Sequence, residues 1–476
     1  MPVQVPALIE DRTIAPVPAT QQYGKARDLF TLWFGGNITL LSVVNGALAT
    51  TVYGEPLWLA VLALVLGNLV GGIFMALHSA QGPRLGVPQL VQTRAQFGRY
   101  GALLVVLPVL AVYVGFLAPG LLLAGQSLNA VSSHISIDAG VIAVAAVSVL
   151  ATIFGYNFIH AYARVMTFTA GAVLLLTFAW IFAAHHLEAN FLQAGQPGVA
   201  GFMGTVTVAA LWQIVYTPLV SDYSRYLPAD TSARGTFWAG YGGSALGSIL
   251  PMVLGALIGT QSSDVTGGLT TLAHGIIVLV LTVFTISIVT TSAMNVYSGA
   301  LSLISVGQAV FTGWLPRAIT RAVMGVLIAA FAVVPALGSQ HNFLVSYTNL
   351  ILLMMYVVVP WTAINLTDFY LVRRGDYDAR QLLLRNGAYG RFNLAGMGWY
   401  LAGIAIEMPF VNTAVYEGPV ARSLGGVDVS WIVCLAVISP LYYLTARPAR
   451  PASLLARDQQ DSTSMHNIYL TTDGGP

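Results

Sequence analysis

Hydrophobic residues in this chain fall into long unbroken runs separated by short polar segments. A run of roughly 20 mostly apolar residues is what a helix needs to cross a bilayer. Such runs lie near 29–52, 56–80, 100–130, 137–155, 162–184, 204–222, 236–260, 272–298, 319–337, 343–371, 393–413 and 429–446, which predicts twelve spans. They are continuous rather than short and alternating, so a transmembrane β-barrel is excluded. Two spans carry a disruption. The first reads LWFGGNITLLSVVNGALATT, where Gly35, Gly36 and Asn37 are poor helix formers and Asn45-Gly46 is a second weak point. The sixth reads LWQIVYTPLVSDYSRY, where Pro218 removes a backbone donor and crowds the preceding turn. The two disrupted spans are five apart, and both begin Leu-Trp. Discontinuous helices at matching positions of two halves are a mark of transport folds built from inverted repeats. The predicted fold is therefore an all-α integral membrane protein of twelve transmembrane helices, a five-plus-five inverted repeat with two C-terminal helices added.

Composition agrees with the pattern. Of 476 residues, 56% are hydrophobic and 8% charged, whereas soluble proteins carry about 25% charged residues. A soluble enzyme, a disordered chain and a nucleic-acid binder are excluded. The net charge of +2 gives no general preference for acidic partners. Arginine and lysine set the orientation. With both ends cytosolic, 19 of the 20 basic residues fall on inner segments, and the outer loops keep only Arg422. One helix more or fewer would scramble this pattern. The predicted organisation is a polar, mobile cytosolic tail over 1–28, a transporter domain over 29–446, and a second tail over 447–476. Within the domain, repeat one covers about 29–184, repeat two about 204–371 and the extra helices about 393–446. The first 28 residues lack the apolar core of a cleaved signal peptide. Arg447, Arg450 and Arg457 follow the last helix and suit anchoring to anionic lipid. Cys434 is the sole cysteine, so neither an internal disulfide nor a cysteine metal cluster is available. No nucleotide-binding GxxxxGK[ST] loop, HExxH motif or arginine-repeat voltage sensor occurs. Nothing points to an enzyme, a cofactor or an obligate protein partner.

Five ordered motifs carry a resemblance. WFGGNITLLSVVNGAL in the first span, GPRLGVPQLVQTRAQFGRYGA before the third, SDYSRYLP ending the sixth, TTSAMNVYSGALSL in the eighth and PWTAINLTDFYLVRRGDYD ending the tenth are similar to the nucleobase–cation symporter-1 family, in its purine–cytosine permease branch. The resemblance runs from about residue 25 to 445. It implies the leucine-transporter-type fold, in which helices 1, 2, 6 and 7 form a bundle, 3, 4, 8 and 9 a scaffold, and 5 and 10 thin gates. It also implies a secondary transporter of the cytoplasmic membrane that imports cytosine or purines with a cation by alternating access. Allantoin, a hydantoin, uracil, thiamine or pyridoxine are alternative substrates, and a non-concentrating facilitator is the alternative mechanism.

A flat heterocycle needs aromatic faces and a few polar groups for its edge. The resemblance places Phe116 and Tyr216 at the family's two stacking positions, and Asn295 at its base-binding asparagine. An amide suits a mixed donor and acceptor edge. Gln213, one turn before Tyr216, either faces the same cavity or ties helices together. Asn37 either contacts substrate or caps the broken first helix. Gly120 stands where several relatives carry an amide, so a hydrogen bond is lost, water replaces it, or a larger ligand is admitted. Carbonyls of helix one and two hydroxyls of helix eight hold sodium in sodium-coupled relatives. The hydroxyl positions align here with Val289 and Thr290, while Thr291 and Ser292 are expected to point elsewhere. Only Thr290 is retained, so sodium and proton both stay open as the coupling cation. Among titratable groups, Glu407 is the most membrane-embedded carboxylate and is expected near the outer interface. Asp222 either pairs with Arg225 or another cytosolic arginine as an inner-gate lock or is an interfacial helix-terminal charge, and Asp368 is of the same kind. His78 and His160 are read as structural.

Overall fold

A bilayer offers backbone N–H and C=O groups no partner, so apolar runs of this length must satisfy them internally, as helices. The computed structural model describes residue 10 and residues 12–446, apart from 185–186, 188–189, 312–313, 315, 339–342 and 414. The segment 447–476, with Arg447, Arg450 and Arg457, lies outside the described residues. All twelve predicted runs are helical. The first is a pair, Ala26–Asn37 and Leu40–Thr51, bent by 63°. The second to fifth are Leu57–His78, Leu103–Val131, Ile137–Phe154 and Tyr156–Ala183. The sixth comprises Val199–Ile214, a tight turn over Thr217–Leu219 and the short helix Val220–Ser224. The seventh to tenth are Ala233–Gly259, Ile277–Val310, Ala318–Gly338 and Phe343–Thr367. The last two, Leu394–Glu407 and Ser430–Thr445, have 14 and 16 residues. Among the described residues, nine helices, or ten spans with the bent pair, are long and apolar enough to cross a membrane.

Packing sorts the spans into two groups. Both halves of the first span pack on the seventh, the sixth packs on the second, and the seventh on the second. Separately, the third, fourth, eighth and ninth pack on one another. The fifth touches both the first and the eighth, while the tenth lies against the third, sixth, eleventh and twelfth. Small residues make the closest crossing. A Cβ added at Gly46 would sit 1.9 Å from the Met252 carbonyl oxygen, and one added at Gly255 would sit 1.7 Å from that of Val43. With little hydrophobic drive between helices in lipid, such backbone-to-backbone contact supplies the attraction. Gly46 is therefore no second break. The helix Leu40–Thr51 runs through it, and the missing side chain serves the seventh span.

The 34-residue eighth helix ends against two buried arginines. Arg94 donates to the Ser305 carbonyl at 2.8 Å and to the Gln308 side chain at 2.7 Å, and Arg99 donates to the Ala309 carbonyl at 3.1 Å. Cations at a helix C-terminus satisfy its orphan carbonyls and its dipole. The stretch expected as a mobile N-terminal tail is partly packed instead. Glu10, Thr13, Ile14 and Val17 are buried, because two arginines and two tyrosines hold the Glu10 carboxylate.

Candidate substrate and cation site

The two broken spans are tied to each other, through Trp212 of the sixth donating to Asn37 at the first break and through Trp33 packing on Tyr216. At the first, Gly35, Gly36 and Asn37 end one half-helix and Thr39 starts the next. The Thr39 hydroxyl accepts from the Ser42 N–H, and the Ser42 hydroxyl donates to the Asn37 carbonyl at 2.5 Å. The carbonyls left over are met from the eighth span. Ser287 donates to the Ile38 carbonyl at 2.6 Å and lies 3.4 Å from that of Gly35; Thr291 donates to the Gly36 carbonyl at 2.5 Å. Residues four apart share a helix face, which is why Ser287 and Thr291 act together. Thr290 is buried too, and its hydroxyl has no hydrogen-bond partner among the described residues. In this structure Thr291 and Ser287, rather than Thr290, bond the carbonyls of the break. Thr291, expected on another face, reaches the break, and Ser287 joins it.

At the second break, Thr217 donates to the Ile214 carbonyl at 2.6 Å and its hydroxyl lies 3.1 Å from that of Thr362 on the tenth span. Tyr113 of the third span donates to the Pro218 carbonyl at 3.0 Å. Between the breaks stands a buried aromatic cluster. Phe116 and Tyr216 have ring centroids 6.2 Å apart and tilted by 44°. Trp33 lies 5.5 Å from Tyr216, and Trp212 lies 5.6 Å from Phe116. A ring held between Phe116 and Tyr216 needs about 7 Å, two van der Waals layers. The pair is therefore in mutual contact and has to part slightly to admit one. Two polar atoms of this cluster, Trp33 Nε1 and the Tyr216 hydroxyl, are buried without a hydrogen-bond partner among the described residues. Such orphans are uncommon in native proteins and call for an explanation.

The remaining candidates are distributed less evenly. Asn295 is buried on the eighth span, and its amide nitrogen donates to the Thr291 carbonyl at 2.9 Å. Asn37 is a tie: its nitrogen donates to the Trp33 carbonyl at 2.7 Å, and its oxygen accepts from Trp212 Nε1 at 2.8 Å and from Ser248 at 3.0 Å. Gln213 is also a tie, donating to Asn68 at 2.7 Å and accepting from Ser244 at 2.5 Å. Its partners on the second and seventh spans turn it away from Tyr216. Gly120 faces the eighth span, and an added Cβ would meet Ile288 and Ser292 at 3.7 and 3.9 Å, ordinary contacts. Asp222 does not pair with Arg225. It accepts from the Gln89 N–H at 2.9 Å, while Arg225 is held by Glu10 at 3.2 Å. Asp368 receives Arg373, Tyr377, Gln96 and Tyr442, which joins the end of the tenth span to three other segments. Glu407 is fully buried at the C-terminal end of the eleventh span, beside Cys434. His78 stacks on Trp361 at 5.3 Å and His160 packs on Tyr156 at 4.2 Å, both as core side chains. No group of three or more His, Cys, Asp or Glu able to hold a metal occurs among the described residues.

Sequence reasoning missed Trp33, Trp212, Ser287 and Glu10. The two tryptophans were visible as the repeated Leu-Trp that opens each disrupted span; Ser287 needed the register of the eighth helix, and Glu10 left no signal.

Paired broken helices, a four-helix group against a four-helix group and a buried aromatic cluster define a helical secondary transporter. The profile described as "Permease for cytosine/purines, uracil, thiamine, allantoin" matches residues 16–434. A putative purine-cytosine permease of Bacillus subtilis is 37% identical over 449 residues, covering 92% of this chain and 96% of its own. A purine-cytosine permease of Emericella nidulans is 26% identical over 472 residues, covering 92% and 88%. Among solved structures, the nucleobase-cation-symport-1 transporter Mhp1, closed with bromovinylhydantoin bound, matches with a TM-score of 0.76 at 16% identity, covering 92% of this chain and 95% of its own. Its inward-facing form matches with a TM-score of 0.68 at 18% identity, covering 92% and 94%. The chain belongs to the cytosine/purine permease family and is a multi-pass membrane transporter, not an enzyme.

Proposed function

We propose that this chain imports a nucleobase, cytosine and/or a purine, with a cation by alternating access across the cytoplasmic membrane, with both termini in the cytosol. The observation that carries the reading is the aromatic cluster between the breaks with its two unpaired polar atoms, Trp33 Nε1 and the Tyr216 hydroxyl. A base stacked on Phe116 and Tyr216 would bring ring nitrogens and carbonyls, the partners such atoms lack. Asn295 would bind the edge of the base. Replacing it with Ala is expected to abolish saturable uptake while the protein still reaches the membrane; unchanged uptake kinetics would remove it from the site. The printed names of the bacterial and fungal relatives support the substrate class.

The cation is proposed to sit at the first break. Carbonyls and hydroxyls are the oxygen ligands a small hard cation takes, and half-helix ends are where transporters of this architecture coordinate it. Gly35, Ile38, Ser287 and Thr291 supply such oxygens, and Thr290 is adjacent. Basic residues on the segments assigned to the inside support the orientation.

The test is uptake of radiolabelled cytosine by cells lacking their own base permeases. Adenine, guanine, hypoxanthine, uracil and allantoin serve as competitors, with and without sodium and a protonophore. Saturable uptake competed by purines and lost without one of the two cations is expected. Absence of cytosine uptake with the protein in the membrane would overturn the substrate assignment. Gly120, which offers the base no amide where several relatives do, favours a second reading, a differently shaped heterocycle, which the same competitors would reveal.

A further inference from the structure

One carboxylate joins the two groups of helices. Glu10 Oε1 accepts from Arg225 at 3.2 Å and from the Tyr226 hydroxyl, both just beyond the sixth span, and from the Tyr297 hydroxyl of the eighth span at 2.8 Å. Its Oε2 accepts from the Tyr156 N–H at 3.0 Å and lies 3.4 Å from Arg321 of the ninth span. The arginines also grip the backbone beside it. Arg321 donates to the Glu10 carbonyl at 2.7 Å, and Arg225 donates to the Thr13 carbonyl at 2.6 Å. The fold makes room for this. Gly155 has φ of +82°, a backbone region that favours glycine, and a Cβ there would lie 2.3 Å from Glu10 Oε2. Burial alone would lower the Arg225 guanidinium, but the oxygens of Tyr226, Tyr297 and Glu10 carry it above its ordinary value, so it stays cationic.

We propose that the segment beginning at Glu10 is a releasable latch: it locks the sixth span to the eighth and ninth, and opening of the N-terminal face requires Glu10 to leave its arginines. The geometry makes the link direct. Arg225 and Tyr226 belong with the group of the first, second, sixth and seventh spans, while Tyr297 and Arg321 belong with the other group. Alternating access moves one group against the other. The Glu10 carboxylate cannot keep both sets of partners once they separate. Further along, the Val17 N–H donates to the Gly86 carbonyl at 2.9 Å and the Tyr23 N–H to the Tyr226 carbonyl at 2.6 Å, so later residues stay with the first group's side. Opening also parts the Arg225–Tyr297 hydroxyl bond of 2.9 Å and the bonds that Arg321 and Pro316 make to Arg12 and Thr13, so Glu10 is the charged centre of the closure and not its whole. The inference rests on the transport reading above and adds a gate to it.

The experiment uses the full-length chain in inside-out and right-side-out membrane vesicles. Cys434→Ala removes the native thiol, and Ser298→Cys places a reporter three residues past Asn295, at a buried position. A membrane-impermeant maleimide then reads how often the N-terminal face opens. Glu10→Gln is expected to raise the labelling rate about tenfold, the population change that losing charge-assisted hydrogen bonds brings. Tyr297→Phe removes the hydroxyl's bonds to Glu10 and from Arg225, keeps the ring packing, and is expected to raise it about threefold. Should Glu10→Gln fail to accumulate, the double variant Tyr226→Phe, Tyr297→Phe carries the same test. Labelling no faster than in the parent, in either vesicle preparation and with the variant folded, would overturn the latch and make the segment a static anchor. Faster labelling confined to right-side-out vesicles would overturn the assigned orientation and leave the latch standing. No substrate enters the assay, so a mistaken substrate class does not affect its outcome.

Discussion

At the break of the first span, the carbonyls of Gly35, Gly36 and Ile38 meet hydroxyls from a different helix group, those of Ser287 and Thr291. At the break of the sixth, the Ile214 carbonyl is met from within by Thr217, and the Pro218 carbonyl by Tyr113. The sequences suggest similar disruptions, but the partners differ in what they can become. A hydroxyl that donates to a carbonyl can turn its lone pairs to a cation shared with that carbonyl. Thr217 stays tied to its own turn and to Thr362, so the sixth break is held to the tenth span. The two breaks therefore differ in their partners: the first presents oxygens from two helix groups, and the second is tied to its own turn and to the third and tenth spans.

The contrast can be broken by experiment. The double variant Ser287→Ala, Thr291→Val should lower initial uptake about a hundredfold and erase its cation dependence, since two buried carbonyls lose their partners at ~1–3 kcal/mol each. Rates measured over a range of sodium and proton concentrations decide it; a retained cation dependence would deny the first break its role. Next in size, Phe116→Ala or Tyr216→Ala should raise KM about tenfold, as loss of one stacked face costs ~1–3 kcal/mol. An unchanged KM in both would move the ring elsewhere. Tyr113→Phe, which unties the sixth break from the third span, should change kcat a few-fold with the cation dependence intact, in line with ~1 kcal/mol for one hydrogen bond. If it altered the cation dependence instead, the two breaks would not be separate in function. The smallest effect belongs to Gly120→Ala. The added methyl makes only ordinary contacts, so KM should shift less than about twofold unless the ligand occupies that space.

Much of the fold was legible because spanning helices announce themselves over some 20 residues each. Pro218 and the Gly35-Gly36-Asn37 run marked the breaks because local backbone chemistry decides them. Phe116 and Tyr216 were legible through motif position and do come together. Register was harder. Choosing between Thr290 and Thr291 needs a helix phase that a uniformly apolar stretch does not display, and one residue moves a side chain by about 100°. Amides were ambiguous for a different reason: Asn37 and Gln213 sit beside the aromatic cluster in sequence, yet their partners Ser248 and Asn68 come from spans far along the chain. Glu10 was invisible altogether. A lone acid in a polar stretch looks solvated, and its partners Arg225 and Arg321 lie more than 200 residues away.

Gly46 and Gly255 place the backbones of the first and seventh spans in direct contact. Two surfaces that interlock without intervening side chains have no soft layer in which to slide. Shear between these helices is thereby suppressed, and the half-helix Leu40–Thr51 inherits the motion of the seventh span as a lever inherits that of its arm. Any side chain introduced at either glycine would act as a wedge driven into that joint, shifting the pivot itself before it disturbed the ring cluster or the hydroxyls at the first break.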